Sequence, residues 1–492
     1  MKKTFKRAGV AVLSMAMLLS MGAVGAMSAN AYTGTNGDLR IVSTATTIKA
    51  YKVAAFTRGA WAWDSNAKGV TSDDMTNLTG GTSTAEERKT LADKLAADVS
   101  DLAAIDLSAS TSEEDSGHLN DLAPGYYLII SSGAGKMYQN KLIEVKSQKV
   151  VTLSDDKSTS IGVTKTITSV SDGGEIAGSS GKAATASDGA TVTYSIRADV
   201  PTYSSEATTS SMHDYVLVDD YDDTFTDISV NSVTIGSDTL DRVATESGIV
   251  GDINAGKYYL DTSDIDTNNK GFTIKVNKKS VLDHGGQKVT VTFTAKLNAD
   301  TTKSDYKYPN EVTFNYDNTF NATGGEGTGN DEADVYSIPL EVYKYAMLGD
   351  PVTKTPITTG DAEFSLSDGP NTYTSTAVSG TGYYTFKSLK AGTYTLTEDE
   401  SPAGYQSISG TIATITISVG TDGTVSVKDA SNNDLTKNSN YYVTEVENIP
   451  QQSLPGTGGM GTVLFTVGGA AIVLAAGAMF VVYMRKRKNE EQ

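Results

Sequence analysis

Apolar and polar residues alternate along most of this chain. Between residues 32 and 457 the apolar positions recur at every second residue in short runs rich in Thr, Val and Tyr, and Gly, Asn and Asp separate the runs. A period of two places one side of each run against a core, so the pattern predicts a mainly β protein. The exception is residues 84–102, where Leu91, Leu95, Val99 and Leu102 fall at helical spacing and predict one amphipathic helix in the first domain. The two ends follow a different rule. Residues 461–484 are uncharged and largely apolar and run into Arg485, Lys486, Arg487 and Lys488. At ~1.5 Å per residue that stretch spans a bilayer as a helix, with its basic end held in the cytoplasm. Lys2, Lys3, Lys6 and Arg7 precede an apolar run over residues 8–26, and Ala29-Asn30-Ala31 offers small residues for cleavage. Residues 1–31 read as a secretory signal peptide, with Tyr32 as the first mature residue.

Two breaks divide the mature part. Residues 154–160 are polar throughout, and residues 324–330 are Gly-rich. They suggest domains at residues 32–156, 160–330 and 335–449, with residues 454–492 as a C-terminal signal, and the length suits about three cores. Composition narrows the chemistry. The chain has 40 basic and 59 acidic residues, and the two end segments hold eight of the former and two of the latter. The mature part is left with 32 against 57 and a net charge near −25, which disfavours nucleic acid and anionic membrane as partners. Cysteine is absent, so covalent reinforcement of this exported chain would need chemistry other than disulfides.

The alternation itself supplies a candidate. In Leu340-Glu341-Val342-Tyr343-Lys344-Tyr345-Ala346 the lysine shares the face of Leu340, Val342 and Ala346. Glu398 shares the face of Tyr394 and Leu396, and Asn448 that of Val446. An amine, a carboxyl and an amide are thus aimed at one core. Desolvation drives a buried lysine toward neutral and a buried glutamate toward protonated. A neutral amine is a nucleophile, and a protonated carboxyl polarises an amide and shuttles protons. Lys344 would attack the Asn448 amide and expel ammonia, once per molecule and without turnover. The middle domain repeats the pattern: Lys165 lies between Val163 and Ile167, Asp219 follows Tyr215 and Leu217, and Asn310 precedes Val312 and Phe314 on the inward register. Asp220 is the rival acid.

Leu454-Pro455-Gly456-Thr457-Gly458, followed by the apolar stretch and basic tail, resembles the cell-wall sorting signal of Gram-positive bacteria. In that family a sortase cuts between Thr and Gly, here Thr457 and Gly458, and transfers the Thr carboxyl to an amine. Tyr394-x-Leu396-x-Glu398-x-x-x-Pro402-x-Gly404-Tyr405 resembles the E-box of sortase-assembled pilins, whose domains are tandem immunoglobulin-like, collagen-adhesin-type β-sandwiches. The resemblance implies isopeptide bonds Lys344–Asn448 with Glu398 as catalyst and Lys165–Asn310 with Asp219 as catalyst. Asp399-Glu400-Ser401 stands where the family usually has Thr-Lys-Ala, a departure expected to add only charge. In the first domain Leu122-x-x-Gly125-x-Tyr127-x-Ile129-x-Ser131 repeats the same hairpin with Ser131 in place of the acid, and Lys52 matches Lys344, so no cross-link is expected there.

Shaft pilins of this kind offer the sortase a lysine, commonly in Tyr-Pro-Lys, which this chain lacks. Lys157 at the first domain boundary is the expected inter-subunit acceptor, with Lys149 and Lys146 as alternatives. The resemblance implies the major subunit of a covalent pilus that supports adhesion. Its partners would be a class C pilus sortase, a housekeeping sortase, copies of itself, minor pilins and peptidoglycan. The alternative is a monomeric wall-anchored adhesin that uses the same domains as a stalk for a host protein or glycan. His118, His213 and His284 are scattered in polar loops. Asp264-x-Asp266-x-Asn268 begins like a calcium loop, but Asn269 replaces its glycine and Lys275 its closing glutamate. No metal, cofactor or turnover enzyme is expected.

Overall fold

The computed structural model describes residues 36–109, 119–133, 135–154, 158–262, 270–319, 326–359, 362–451 and 460–490. The protein is mainly β, with tandem β-sandwich domains. It divides into two compact units, one of Met1–Ile338 with Ser388–Ala391 and Ser418–Ser426, the other of Pro339–Lys387, Gly392–Ile417 and Val427–Gln492.

In the first unit the strand Gly125–Gly133 reads Tyr126-Tyr127-Leu128-Ile129 without a polar break, because both faces of its sheet are covered. Tyr126 and Leu128 pack with Met75, Leu78, Leu91 and Leu95 of two helices. Tyr127 and Ile129 pack with Leu39, Ile41 and Leu122, which belong to a small sheet of Leu119–Leu122, Gly37–Val42 and Val150–Ser154. The expected helix is Ala85–Ala96, with Val99 and Leu102 beyond its end. It stops early because Asp98 Oδ1 accepts from the amide and hydroxyl of Ser100, a local turn that competes with the helical ladder. A second helix, Ser72–Thr79, precedes it. Two turns are too few to display a period, and its sequence signal is the capping box of Thr71 and Asp74.

The rest of this unit is a sandwich. One sheet runs Val163–Val170, Thr191–Asp199, Lys288–Leu297, Phe225–Ile235 and Asp238–Thr239. The other contains Lys270–Val276, Tyr215–Tyr221, Asn310–Asp317 and Glu326–Glu332 side by side. Tyr194, Phe293, Leu217 and Phe314 meet in the core between them. The described residues of both sequence breaks form strands. Ser158–Ser160 is a strand paired with Lys136–Tyr138, and Met137 sits in the sandwich core. The Gly-rich stretch becomes, from Glu326, the edge strand beside Asn310–Asp317. Gly327 is needed there, since a Cβ would lie 2.5 Å from Cζ of Tyr316.

The second unit is built on a sheet of Thr376–Val378, Tyr383–Leu389, Ile338–Leu348, Tyr441–Glu447 and Thr436–Asn438. Its first and last long strands are adjacent and parallel, with Leu340 opposite Tyr442 and Tyr345 opposite Glu447. A second sheet carries Glu363–Ser367, Gly392–Glu400 and Ala413–Val419. The chain ends in the helix Met460–Glu490, whose Phe465–Lys488 segment has a mean hydropathy of 2.2 and is long and apolar enough to cross a membrane.

Candidate functional site: two buried lysine–carboxyl–asparagine trios

Lys165 extends from its sheet to the opposite one. Its Nζ contacts Asp219 Oδ2 and Asn310 Oδ1 and donates to the carbonyl of Glu311 at 2.9 Å. Asp219 and Asn310 stand on adjacent strands, opposite Val312 and Tyr221 respectively, and all three polar residues are fully buried. Rings of Tyr194 and Phe293 lie 5.6 and 5.4 Å from the amine. Burial lowers the lysine's pKa against the pull of Asp219, and it raises Asp219 to about 6 against the pull of Lys165. Both shifts favour the uncharged pair. Asp220 is exposed on the outer face, so the strand presents Asp219 and not its neighbour. The lysine's own backbone is held as well: its amide donates to Asp331 Oδ2 at 2.6 Å, and Lys182 Nζ donates to its carbonyl at 2.7 Å.

The second unit repeats the arrangement. Lys344 Nζ contacts Glu398 Oε1 and lies 2.8 Å from Asn448 Oδ1. The lysine and glutamate side chains are buried at 0% and 1% exposure, and the Phe364 ring centroid is 4.7 Å from the amine. Burial alone lowers Lys344 to about 7. Asn448 follows the last strand directly and is seated by its amide on the Tyr345 carbonyl at 2.9 Å. Its Nδ2 lies 3.3 Å from Glu398 Oε1 and donates to the Gln406 carbonyl at 3.1 Å. Ser401 Oγ and the Ile408 amide donate to Glu398 Oε2 at 2.5 and 3.1 Å. The stretch after Glu398 therefore contributes more than charge. Apart from Ser401, these loop contacts come from backbone atoms, which carry no residue signature; Phe364 was accessible from the inward register it shares with Leu366.

The remaining candidates separate. Lys52 and Ser131 lie on adjacent strands of one sheet rather than facing across two, opposite Tyr127 and Ile48. His284 pairs with Asp238 at 3.1 Å and His213 lies 3.4 Å from Asp317. Lys275 pairs with Glu246, and among the described residues no group of His, Cys, Asp and Glu could hold a metal. Lys157, His118, Asp264, Asp266, Asn268, Asn269 and the motif Leu454, Pro455, Gly456, Thr457 and Gly458 lie outside the described residues.

An unlinked Lys344 has a titration signature. In an Asn448→Ala chain the amine is free, and the unfolded state binds more protons than the folded one between pH about 7 and 10.5. Stability should then rise with pH across that window. Urea melts of this variant should show the rise, and the unmutated protein should lack it if its nitrogen is an amide.

Residues 351–434 match the family model of the SpaA prealbumin-like fold domain, and residues 447–491 that of the LPXTG cell wall anchor motif. No curated protein matches the chain. The solved T6 backbone pilin of serotype M6 Streptococcus pyogenes is similar, with 17% identity and a TM-score of 0.54 over 87% of this chain and 92% of that one. The full-length major pilin SpaD from Corynebacterium diphtheriae is similar at 16% identity, with a TM-score of 0.50 over 86% and 100%. The chain thus has the fold of two solved Gram-positive major pilins and a C-terminal LPXTG cell wall anchor that places it at the surface.

Proposed function

We propose that this wall-anchored, pilin-folded chain is the shaft subunit of a covalently polymerised pilus, and that its two buried trios close autocatalytically into Lys165–Asn310 and Lys344–Asn448 isopeptide bonds. The observation that carries the second part is the 2.8 Å approach of Lys344 Nζ to the Asn448 amide beside a buried glutamate. Each neutral amine attacks the amide carbon, an amine proton replaces the one the carboxyl gives to the amide nitrogen, and ammonia leaves. The acid is regenerated, and the product is one amide in place of another. The protein acts on itself once and is no turnover enzyme.

Polymerisation uses the other end. A class C sortase cleaves Thr457 from Gly458 and joins Thr457 to Lys157 of the next copy, minor pilins enter the same fibre, and a housekeeping sortase transfers the base to peptidoglycan. Blotting a boiled cell-wall digest should give a ladder of covalent multimers, and Lys157→Ala should collapse it to wall-linked monomer. An undiminished ladder in that variant moves the acceptor to another lysine such as Lys149 or Lys146. A single band from the unmutated chain means a monomeric adhesin on the same stalk.

A further inference from the structure

The two trios differ at the second oxygen of the acid. Asp219 Oδ1 is buried without a hydrogen-bond partner among the described residues. Glu398 Oε2 receives two close donors, the Ser401 hydroxyl at 2.5 Å and the Ile408 amide at 3.1 Å, with Asn448 Nδ2 further off at 3.5 Å. Two donors occupy both lone pairs of Oε2, so the single proton of the acid belongs on Oε1. That is the oxygen in contact with Lys344 Nζ and 3.3 Å from Asn448 Nδ2. The same loop fixes the other partner, since the Gln406 carbonyl accepts from Asn448 Nδ2 at 3.1 Å.

We infer that Ser401 is a positioning residue for closure of the Lys344–Asn448 bond, confining the proton of Glu398 to the oxygen that relays it. The inference rests on the cross-linking reading above. During closure Oε1 gives its proton to Nδ2, which departs as ammonia, and takes one from Nζ as the new C–N bond forms. Oε2 stays an acceptor throughout, and the acid ends as it began. Without the hydroxyl, the proton is free to sit on Oε2, the oxygen that Lys344 Nζ does not contact and that lies 3.5 Å from Asn448 Nδ2.

The test is a pulse of cell-free synthesis of the whole mature chain, chased across a series of pH values, quenched, digested and read by mass spectrometry. Loss of ammonia at Lys165–Asn310 serves as the clock in the same molecule. Ser401→Ala should slow closure at Lys344 about tenfold relative to that clock, the size of one hydrogen bond to an ionisable group. The alkaline limb of its rate profile should move to higher pH, because a donor favouring the ionised acid is gone. Ser401→Thr, which keeps the hydroxyl, should restore both. Closure of Ser401→Ala at the unmutated rate overturns the inference. So does slow closure with unmoved limbs, which would leave Ser401 a packing residue. An unmutated chain that never loses ammonia at Lys344 overturns the cross-linking reading itself.

Discussion

The intact mass of the mature chain should fall short of its sequence mass by two ammonia molecules, and Glu398→Ala should restore one of them. The variant keeps Lys344 and Asn448, 104 residues apart in sequence, but removes the carboxyl proposed to relay the proton. Loop closure over about a hundred residues is worth ~4 to 5 kcal/mol in the entropy model used for disulfides. A marginally stable domain loses a large share of its stability at that cost. The melting transition of the second unit should drop accordingly, and trypsin should cut it where the unmutated protein resists. A full sequence mass in the unmutated protein would sink the cross-links.

Asp219→Ala should be more damaging than Lys165→Met, although both abolish the Lys165–Asn310 bond. Lys165→Met fills the site with an apolar chain of similar length among Tyr194 and Phe293, so the loss is chiefly that of a link closing 145 residues. Asp219→Ala also leaves an amine at 0% exposure without its carboxyl partner. Leaving a buried polar group unsatisfied costs about 1 to 3 kcal/mol beyond the link. The double variant should recover toward Lys165→Met alone, because the stranded amine is gone. Denaturant melts of the three chains check the order, and equal stability of the two single variants would mean that the amine does not depend on Asp219.

Much of the placement of the two trios was legible because β-strands enforce a period of two. That rule alone turns Lys165, Asp219, Asn310 and Lys344 inward, and the structure places all four at 0% exposure. Asn448 was reached by continuing the register one step past the end of its strand. The supports were not legible. Gln406 and Ile408 act through backbone atoms, and only Ser401 offered a side chain. Asp331 reaches Lys165 from just beyond a Gly-rich stretch whose composition reads as linker, although Gly327 is there to let Tyr316 approach. The helix Ser72–Thr79 has about two turns, too few for its period to repeat visibly.

The parallel pairing of Ile338–Leu348 with Tyr441–Glu447 sets how the second unit meets tension. The chain arrives at the start of one strand and departs from the end of its neighbour, so opposed pulls slide the two past each other. Every rung from Leu340 opposite Tyr442 to Tyr345 opposite Glu447 is then strained together instead of one after another. With the Lys344–Asn448 bond closed, the 104-residue interval between those two residues is removed from the line of force. At ~3.3 Å per residue, roughly 350 Å of contour per subunit is never available for stretching. A fibre of such subunits would behave as an inextensible cord, passing load to the wall without lengthening to dissipate it.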